Sequence, residues 1–420
     1  MTAREATSQN FRTAADRNNM SHGSLTTAPD GRWFGAGRSI AADGFTAGAE
    51  ATANAVAGRP DPGLILVFAR DRADMQPLLD GVRSRSGGNA KIAGCSTIEP
   101  MAASDDPATF AVSVVAFGGN GFGYEIEVAR DVEGNERSAG SLAAAGLARL
   151  DHPHKVLLLF IDATLNGNVE IVRGAYGTAG AAVPLVGGLA SDDWQFDRTC
   201  QFAGDSNGVE VFKDVVVGVA IGSPQPVGLG VAHGWRRSGD PMVVTDSDGL
   251  KVYEFDNEPA LDVFLARVGL DESVLAGSDS FRLAALEYPL GVATRSGEEI
   301  RVIQGVDLTD RSVLCSAGIP QGGLAWLMEG DPDSLVAGGT DSCQQAVRTL
   351  GDATPIGLLT FDCAVRRREL GPAGVRREFA EIERIFPGVP FGGFYSYGEI
   401  ARFRGATGMH HLTMVSLALA

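Results

Sequence analysis

Three short turns place thiol, hydroxyl and carboxylate side chains directly after apolar, strand-like runs of this sequence. Backbone N–H groups that are freed at a glycine turn can hold a carboxylate, and carboxylate side chains can pair with an ammonium group. Hydroxyl groups and tyrosine rings orient a ligand and wall it in. The combination suits a small zwitterion such as an amino acid. The candidate ligand-binding residues of the turns are Cys95, Ser96, Thr97, Gly187, Gly188, Ser191, Asp192, Asp193, Tyr395, Ser396, Tyr397 and Glu399.

The same residues have a purely structural interpretation. Serine and aspartate are common in tight turns, where they cap the element that follows. For one turn alone this interpretation is favoured. The repetition of the pattern three times, with an aromatic-rich third turn, makes a ligand role equally favoured.

Two more candidates follow the last of the apolar strands that the pattern predicts. Cys363 ends the run "IGLLTFDC", and Arg366 comes three residues later in a basic cluster. A guanidinium fits a carboxylate bidentately, so Arg366 is a candidate to hold the ligand's acid group. A nucleophilic cysteine would need a base and a lowered pKa, and no Cys-x-x-Cys motif or Cys–His signature supports one here. No catalytic residue is predicted, and the chain is not expected to be an enzyme.

The turns belong to a repeated order of elements. Each copy reads as strand, helix, strand, glycine turn and strand, beginning at "LILVFAR", "KVLLLFID" and "IGLLTFDC". When the copies are aligned on Phe68, Phe160 and Phe361, the turn glycines are Gly94, Gly187 and Gly392. Such strand–helix–strand units form parallel or mixed sheets, and ligands bind at the carboxyl ends of their strands.

The segments around the copies complete the predicted architecture. Residues 1–34 indicate a disordered leader, within which Met20 is an alternative start. Helical spacing of Ala42, Phe45, Ala49, Ala53 and Val56 predicts a helix. Alternating segments between the second and third copies, from residue 227 to 308, predict an antiparallel insert. The fold class is therefore α/β, with repeated strand–helix–strand units, mixed sheets, two domains and that insert.

Composition excludes several classes of function. The net charge of −17 argues against binding nucleic acid, which requires clustered lysine and arginine. No apolar run is long enough to span a bilayer, so no membrane insertion is expected. Five widely spaced cysteines fit free thiols in a reducing cytoplasm, and no metal site is predicted.

The motifs "IAGCST", "NGN" followed by "PLVGGLASDDWQF", "VYEFDNEPALDVF" and "PFGGFYSYGEI" resemble the FIST domain family, in both its N and C parts. The resemblance implies an N-type domain over 35–225 and a C-type domain over 226–420. It adds Asn166 and His410 to the candidate ligand-binding residues. The sequence departs from the usual family pattern at Ile98-Glu99-Pro100, at Asp362 before Cys363, and at His411-Leu412.

The resemblance also carries the functional expectation. FIST domains are sensory modules of prokaryotic signal transduction, for which small ligands, amino acids among them, have been proposed. The chain is therefore expected to be a cytoplasmic sensory protein that binds an amino acid or similar carboxylate and signals to a partner in trans, such as a sensor kinase. One alternative is a nitric-oxide sensor with non-covalent haem on His410 or His233. Another is an adaptor without catalysis. No cofactor is required by the sequence.

Overall fold

The chain folds into repeated α/β units around one core, with a separate antiparallel sheet inserted between the second and third units. A computed structural model describes residues 23–59, 61–72, 74–102, 111–276, 278–294, 297–402 and 408–420. Its mixed α/β architecture confirms the fold class that the sequence predicts.

The first unit contains an apolar strand that is buried on both faces. Leu64, Leu66 and Phe68 face the centre of the molecule, whereas Ile65 and Val67 face the helices outside. This two-sided burial explains why the sequence reads as a continuous apolar run. The elements of the unit are β1 (Ser24–Thr27), β2 (Trp33–Ser39), α1 (Gly44–Val56), β3 (Pro62–Arg70), α2 (Met75–Arg83), β4 (Lys91–Thr97), β5 (Pro100–Ala102) and β6 (Val112–Gly118).

The second unit repeats this order and carries a short 3₁₀ helix, Ala145–Arg149, before its buried strand. Leu158 and Phe160 face the centre, and Leu157 and Leu159 face the outer helices. Its elements are β7 (Gly123–Ala129), α3 (Glu136–Ala143), β8 (His154–Ile161), α4 (Asn168–Ala179), β9 (Leu185–Leu189), β10 (Gln201–Asp205), β11 (Val209–Phe212) and β12 (Val216–Ser223).

The insert follows β13 (Val227–Ala232), which the sequence grouped with it. The structure pairs β13 with the last strand of the chain instead, so β13 opens the third unit. The insert has its own apolar core, which includes Phe255, Phe264 and Phe281. Its elements are β14 (Arg236–Asp248), β15 (Lys251–Phe255), β16 (Glu258–Pro259), α5 (Ala260–Val268), α6 (Ser278–Glu287), β17 (Leu290–Thr294), β18 (Gly297–Arg301), β19 (Ile303–Asp307), β20 (Ser312–Cys315) and β21 (Leu324–Glu329), with a 3₁₀ helix at Glu272–Ala276.

The third unit closes the chain. Its second helix is kinked at Gly371, where φ is 59°, and Pro372 follows, because proline cannot continue the hydrogen-bond ladder of the preceding turn. The elements are α7 (Pro332–Arg348), β22 (Gly357–Cys363), α8 (Ala364–Ile385), β23 (Phe391–Ser396), β24 (Glu399–Arg402), β25 (Gly408–His410) and β26 (Met414–Leu419).

The three units exchange strands in a cycle. The strands of each unit lie side by side in an equivalent order in the three sheets. The orders are β2-β6-β3-β4, β7-β12-β8-β9 and β13-β26-β22-β23. The next strand in each sheet comes from another unit and is antiparallel: β10 joins β4, β24 joins β9, and β5 joins β23. Each unit therefore gives the strand that follows its glycine turn to a neighbouring sheet, and the three turns meet.

The three sheets face a common core, and the helices cover their outer faces. Phe68, Phe160 and Phe394 come from the three different sheets. Phe68 and Phe394 stack with ring centroids 5.0 Å apart, and Phe160 lies 5.7 Å from Phe68 and 6.0 Å from Phe394. Phe361, on which the third copy was aligned, packs against Phe394 with ring centroids 5.5 Å apart, so all three aligned phenylalanines lie in this core.

The glycine of each turn is required by a close approach of two backbones. A Cβ atom would lie 1.8 Å from the Val67 carbonyl oxygen at Gly94, and 2.1 Å from that of Leu159 at Gly187. In the third unit the equivalent residue is Gly393, where the distance to the Thr360 oxygen would be 1.7 Å. The alignment on Gly392 was therefore wrong by one residue, because two adjacent glycines left the register open.

The predicted leader and domain boundary meet different outcomes. Residues 1–22 lie outside the described part, but Ser24–Thr27 pairs with β2 as a strand, so the chain is ordered before residue 34. A short strand of Ser, Leu and Thr gives little apolar signal, so the sequence did not reveal that the ordered part of the chain begins before residue 34.

The domain boundary between residues 225 and 226 stays a prediction. Strands β5 and β24 each pair with a strand from the other side of that boundary.

Candidate functional site

The three glycine turns meet in a buried junction of hydrogen bonds. The Ser96 hydroxyl donates to the Ser191 carbonyl oxygen at 3.1 Å, and the Ser191 N–H donates to the Ser96 carbonyl oxygen at 3.1 Å. The Ser191 hydroxyl reaches the Tyr395 carbonyl oxygen, and Thr97 Oγ1 lies 2.8 Å from the same oxygen. One residue of each turn thus contacts the next.

The side chains at this junction serve the fold. Ser96, Thr97, Ser191 and Tyr395 are fully buried, and the hydroxyls of the first three are bonded to protein carbonyl or hydroxyl groups. Cys95 lies in the central core, where burial raises the pKa of its thiol well above the usual value. Ser96, Thr97 and Ser191 therefore position the neighbouring turns through these internal hydrogen bonds.

A loop of residues 192–199, which we call the aromatic loop, leaves the second turn. Its N–H groups converge on the buried Asp192 carboxylate: Oδ1 accepts from Gln195 and Phe196 at 3.0 Å, and Oδ2 accepts from Asp197 and Arg198 at 3.1 Å. Asp192 therefore acts as the organiser of the loop.

The electrostatics of Asp192 follow from this arrangement. Burial raises the pKa of its carboxyl group, but the hydrogen bonds donated by Phe196, Arg198 and Tyr397 outweigh the effect of burial and hold the pKa below the usual value.

The backbone of the aromatic loop is strained. Trp194 and Phe196 have φ angles of 62° and 59°, in the left-handed region that bulky residues rarely adopt. The carboxylate thus holds the loop in a strained conformation, and such strain is common at ligand clamps.

The aromatic loop packs on the third turn. The Phe196 and Tyr397 rings stack with centroids 4.4 Å apart, and Trp194 lies 5.5 Å from Tyr397. The Trp194 N–H donates to the Tyr397 hydroxyl at 2.8 Å. The second and third units are therefore joined by an aromatic cluster, whose three residues also line an adjoining cavity.

That cavity, which we call the aromatic cavity, has a volume of about 250 Å³. It lies at the carboxyl ends of β22 and β23, where the open edge of an α/β sheet places ligands. The insert closes the opposite side. The lining residues are Trp194, Phe196, Leu286, Val302, Ile303, Gln304, Cys363, Ala364, Val365, Ser396, Tyr397, His411 and Leu412.

The polar wall of the aromatic cavity is backed by a buried carboxyl group. Ser396 Oγ lies 2.9 Å from Glu399 Oε1, and Thr413 donates its hydroxyl to Oε2 at 3.0 Å. Burial raises the pKa of Glu399 to about 8. Cys363 lines the same wall, and burial raises the pKa of its thiol well above the usual value, opposite to what a nucleophile needs.

Arg366 is fully buried, does not line the aromatic cavity, and donates to groups of its own chain. Its guanidinium pairs with Asp362 and Glu378, each at 2.6 Å, and also donates to the His233 carbonyl oxygen at 2.6 Å. All three ionisable side chains are completely buried. The expectation that Arg366 holds a ligand carboxylate has no support from this geometry, because its donors already face internal acceptors.

A second opening, the charged cleft, flanks the first turn and has a volume of about 360 Å³. Arg198 Nε pairs there with Asp71 at 3.0 Å. Nearby, the buried Glu99 carboxylate accepts from Arg70 at 3.1 Å and from Arg367 Nε at 2.6 Å. The residues that line the cleft are Arg70, Asp71, Arg72, Thr97, Ile98, Asp193 and Arg198.

The remaining nominated residues are dispersed. Gly187 and Gly188 lie in β9, opposite Ile400 and Glu399 of β24. Asn166 lines a separate cleft with Arg130 and Lys213. The structure therefore brings Cys363, Ser396 and Tyr397 to the aromatic cavity, Thr97 and Asp193 to the charged cleft, and places Asn166 apart from both.

The aromatic cavity does not fit haem. His410 Nε2 lies 3.0 Å from the Ala401 carbonyl oxygen, His233 Nδ1 accepts the Trp235 N–H, and neither residue lines the cavity. His411 does line it, but a volume of about 250 Å³ lies below the roughly 300 Å³ at which sites for drug-sized ligands begin. A macrocycle the size of haem needs more room.

Two features of the described residues bear on other kinds of site. Within them, no group of three or more His, Cys, Asp or Glu side chains is arranged to hold a metal ion. The helices of the same part of the chain are all too short or too polar to cross a bilayer.

Sequence reasoning missed the walls of the cavity. Trp194 and Phe196 stand directly after the Asp pair, and aromatic residues in a chain with only 7% of them were an available signal. The contributions of Leu286, Val302 and Gln304 had no such signal, because the insert reaches the third turn only through the tertiary fold.

Comparison with known proteins assigns both parts of the chain to one family. The FIST N domain model matches residues 63–258, and the FIST C domain model matches residues 260–402. The two matches together cover most of the chain, and their junction lies beyond the boundary at residue 225 that the sequence predicts.

Individual relatives are distant. An uncharacterized protein of Mycobacterium tuberculosis is 25% identical over 215 residues, which cover 50% of this chain and 55% of that protein. An uncharacterized protein of Mycobacterium bovis is 28% identical over 270 residues, or 63% of this chain and 66% of that protein. The chain thus matches about half the length of the first of these relatives. The structure of PurLQS from Thermotoga maritima aligns with 12% identity and a TM-score of 0.21, over 94% of this chain and 74% of that one.

Proposed function

Because the chain belongs to the FIST family, whose domains are associated with small-ligand sensing, we propose that it is a cytoplasmic sensory protein that binds a small molecule in the aromatic cavity. The observation that carries this proposal is the position of the cavity. It lies beneath the strained aromatic loop, at the contact between the second and third units and the insert.

This position gives the ligand a route to a signal. A ligand shifts a conformational equilibrium only through different contacts in the two states. A molecule in the cavity would touch Trp194 and Phe196, whose loop also carries the exposed Asp193 and Arg198 to the charged cleft. We propose that ligand binding fixes the aromatic loop and changes the surface that it presents to a signalling partner in trans.

The proposal is tested by stabilisation of the protein against heat. The screen covers amino acids, other carboxylates, nucleotides and uncharged aromatic compounds. A ligand at a hundred times its dissociation constant adds about 2.7 kcal/mol to the free energy of unfolding. The Ala364→Leu variant, which fills the cavity, should lose the response. Ala373→Leu, at an exposed position of the same helix, is the matched control and should keep it.

Two results would contradict the proposal. A ligand that stabilises wild type and Ala364→Leu equally places the binding site elsewhere. No stabilisation by any class, together with a stable complex formed with another protein, would favour the adaptor alternative. Gln304→Trp, which fills the cavity from an exposed position, repeats the test if Ala364→Leu does not fold.

A further inference from the structure

The wall of the aromatic cavity has no ionised side chain among the described residues that line it: Asp, Glu, Lys and Arg are all missing. Its apolar part comes from two sides. Ala364 and Val365 begin α8, while Val302 and Ile303 come from the insert. Leu412, which also lines the cavity, is fully buried. A charged ligand group would find no opposite charge within this wall.

The polar groups of the wall are neutral as well. Burial lowers the pKa of His411 to about 4, so its imidazole is uncharged at neutral pH and can donate or accept one hydrogen bond. The carboxyl group behind Ser396 belongs to Glu399, whose pKa is raised to about 8 by burial, so it retains its proton. Gln304 adds an exposed amide at the mouth.

Shape narrows the class of ligand further. The volume of about 250 Å³ exceeds the roughly 150 Å³ of an apolar cavity that accepts benzene. Trp194, Phe196 and Tyr397 line the cavity and contact one another, and aromatic rings pack best against other rings in offset or edge-on geometry. The space therefore suits a planar molecule of one or two fused rings.

We propose that the ligand of this cavity is an uncharged aromatic or heteroaromatic molecule with one or two hydrogen-bonding groups, and that zwitterionic amino acids are excluded from it. This inference rests on the proposed function, since it concerns the same cavity. A buried ion without a partner loses its hydration and gains nothing in return. The proposal of an uncharged ligand replaces the expectation, drawn from the sequence, that the ligand is an amino acid. Arg366, which was expected to bind the carboxylate of that ligand, instead pairs with Asp362 and Glu378.

The test compares three probes that share one ring system and differ in charge: indole, L-tryptophan and indole-3-carboxylate. Isothermal titration of the full chain should show that indole binds, with both charged probes weaker by about a hundredfold or more. Ala364→Leu should abolish indole binding, and Ala373→Leu should leave it unchanged.

A second variant adds the missing charge. Gln304→Arg places a guanidinium at the mouth and should improve the binding of indole-3-carboxylate about tenfold or more, because a charge-assisted bond becomes available. Gln304→Glu, the control of opposite charge, should not.

The outcomes separate this inference from the proposed function. If L-tryptophan binds as tightly as indole and Ala364→Leu abolishes both, the cavity is a ligand site and the inference about charge is overturned. If indole does not bind to wild type, this inference is likewise overturned, while the broader screen still decides whether the cavity binds another molecule. If binding of indole survives Ala364→Leu, indole binds outside this cavity, which overturns this inference and leaves the proposed function to be decided by the broader screen.

Discussion

The Tyr397 hydroxyl lies 2.9 Å from Asp192 Oδ1, and this contact joins the third glycine turn to the loop that leaves the second. The same hydroxyl accepts the Trp194 N–H at 2.8 Å. Asp192 in turn collects four backbone N–H groups of the aromatic loop. One carboxylate and one phenol thus fix two rings over a cavity whose other walls come from the insert and the third unit.

Asp192→Ala should therefore loosen the aromatic loop. Loss of the acceptor for four partly buried backbone hydrogen bonds should lower the free energy of unfolding by about 1–3 kcal/mol. The folded-state pKa of Asp192 lies below its usual value, so this stabilisation is present above about pH 3.9 and is lost as the pH falls through the folded value. Urea unfolding at several pH values would show the difference between wild type and variant shrinking in acid.

The neighbouring residue supplies the control for that measurement. Asp193 is exposed, so Asp193→Ala should change the free energy of unfolding by less than about 0.5 kcal/mol. Equal effects of the two substitutions would show that the Asp192 carboxylate does not organise the loop.

Glu399→Gln should change the pH dependence of stability in the opposite sense. The folded state raises the pKa of Glu399 to about 8, whereas an unfolded glutamate has a pKa of about 4.3. Between these two pKa values the folded state binds more protons than the unfolded state. The contribution of Glu399 to the free energy of unfolding is therefore largest at low pH and falls as the pH rises towards 8. Each unit of pH increase between these two values lowers the free energy of unfolding by about 1.4 kcal/mol.

Thermal unfolding between pH 5 and pH 8 measures this effect as a difference between wild type and Glu399→Gln. The variant should have the flatter profile and be the more stable protein near pH 8. The matched exchange Glu258→Gln, at an exposed site of β16, should leave the wild-type slope. Parallel profiles of wild type and Glu399→Gln would mean that Glu399 is ionised throughout.

The sequence predicted the repeated units because their signal is local. Apolar runs around Phe68, Phe160 and Phe361 are buried on both faces, which leaves a continuous pattern that can be recognised in one copy at a time. The strand exchange could not be predicted in the same way. Strand β5, for example, pairs with β23, and nothing in Pro100–Ala102 specifies a partner so distant in the chain.

Helix α1 shows how packing can override a periodic pattern. The sequence predicted the helix from a stripe that includes Phe45, but Phe45 is 49% exposed in the structure. The buried face instead carries Ala47, Gly48 and Ala51, because α2 approaches so closely that a Cβ at Gly48 would lie 2.0 Å from the Leu78 carbonyl oxygen. Small residues permit this contact, and a hydrophobicity count does not reveal it.

The sequence predicted only part of the candidate site, because only some of its residues carry a local signal. The turns were found because glycine and polar residues stand out after apolar runs. Their division into a structural junction, an aromatic cavity and a charged cleft depends on which side chains are bonded to each other. Arg366 illustrates this, since a guanidinium suited to a ligand carboxylate is held by two buried carboxyl groups of its own chain.

Substitution of Arg366 should be among the most destabilising single changes. Arg366→Leu leaves Asp362 and Glu378 buried without their cation, and breaking a buried pair from one side costs about 3–5 kcal/mol. The control is Arg377→Leu, because Arg377 pairs with Asp333 on the surface and such pairs contribute about 0–1 kcal/mol. Chemical denaturation should separate the two variants clearly, and a mild effect of Arg366→Leu would contradict the buried-triad assignment.

The turn glycines give the sharpest test of the threefold arrangement. Alanine at Gly94, Gly187 or Gly393 would force a Cβ atom to within 1.7–2.1 Å of a carbonyl oxygen on the adjacent strand. Backbone must move in each case, so we expect each variant to lose more than about 3 kcal/mol or to fail to fold. Gly177→Ala, at an open and exposed position inside α4, should instead stabilise the protein by about 0.5–1 kcal/mol. Soluble yield and the midpoint of urea unfolding, measured for all four variants, would decide the matter. A tolerated alanine at any one of the three turn positions would show that its unit does not share the close approach found in the other two.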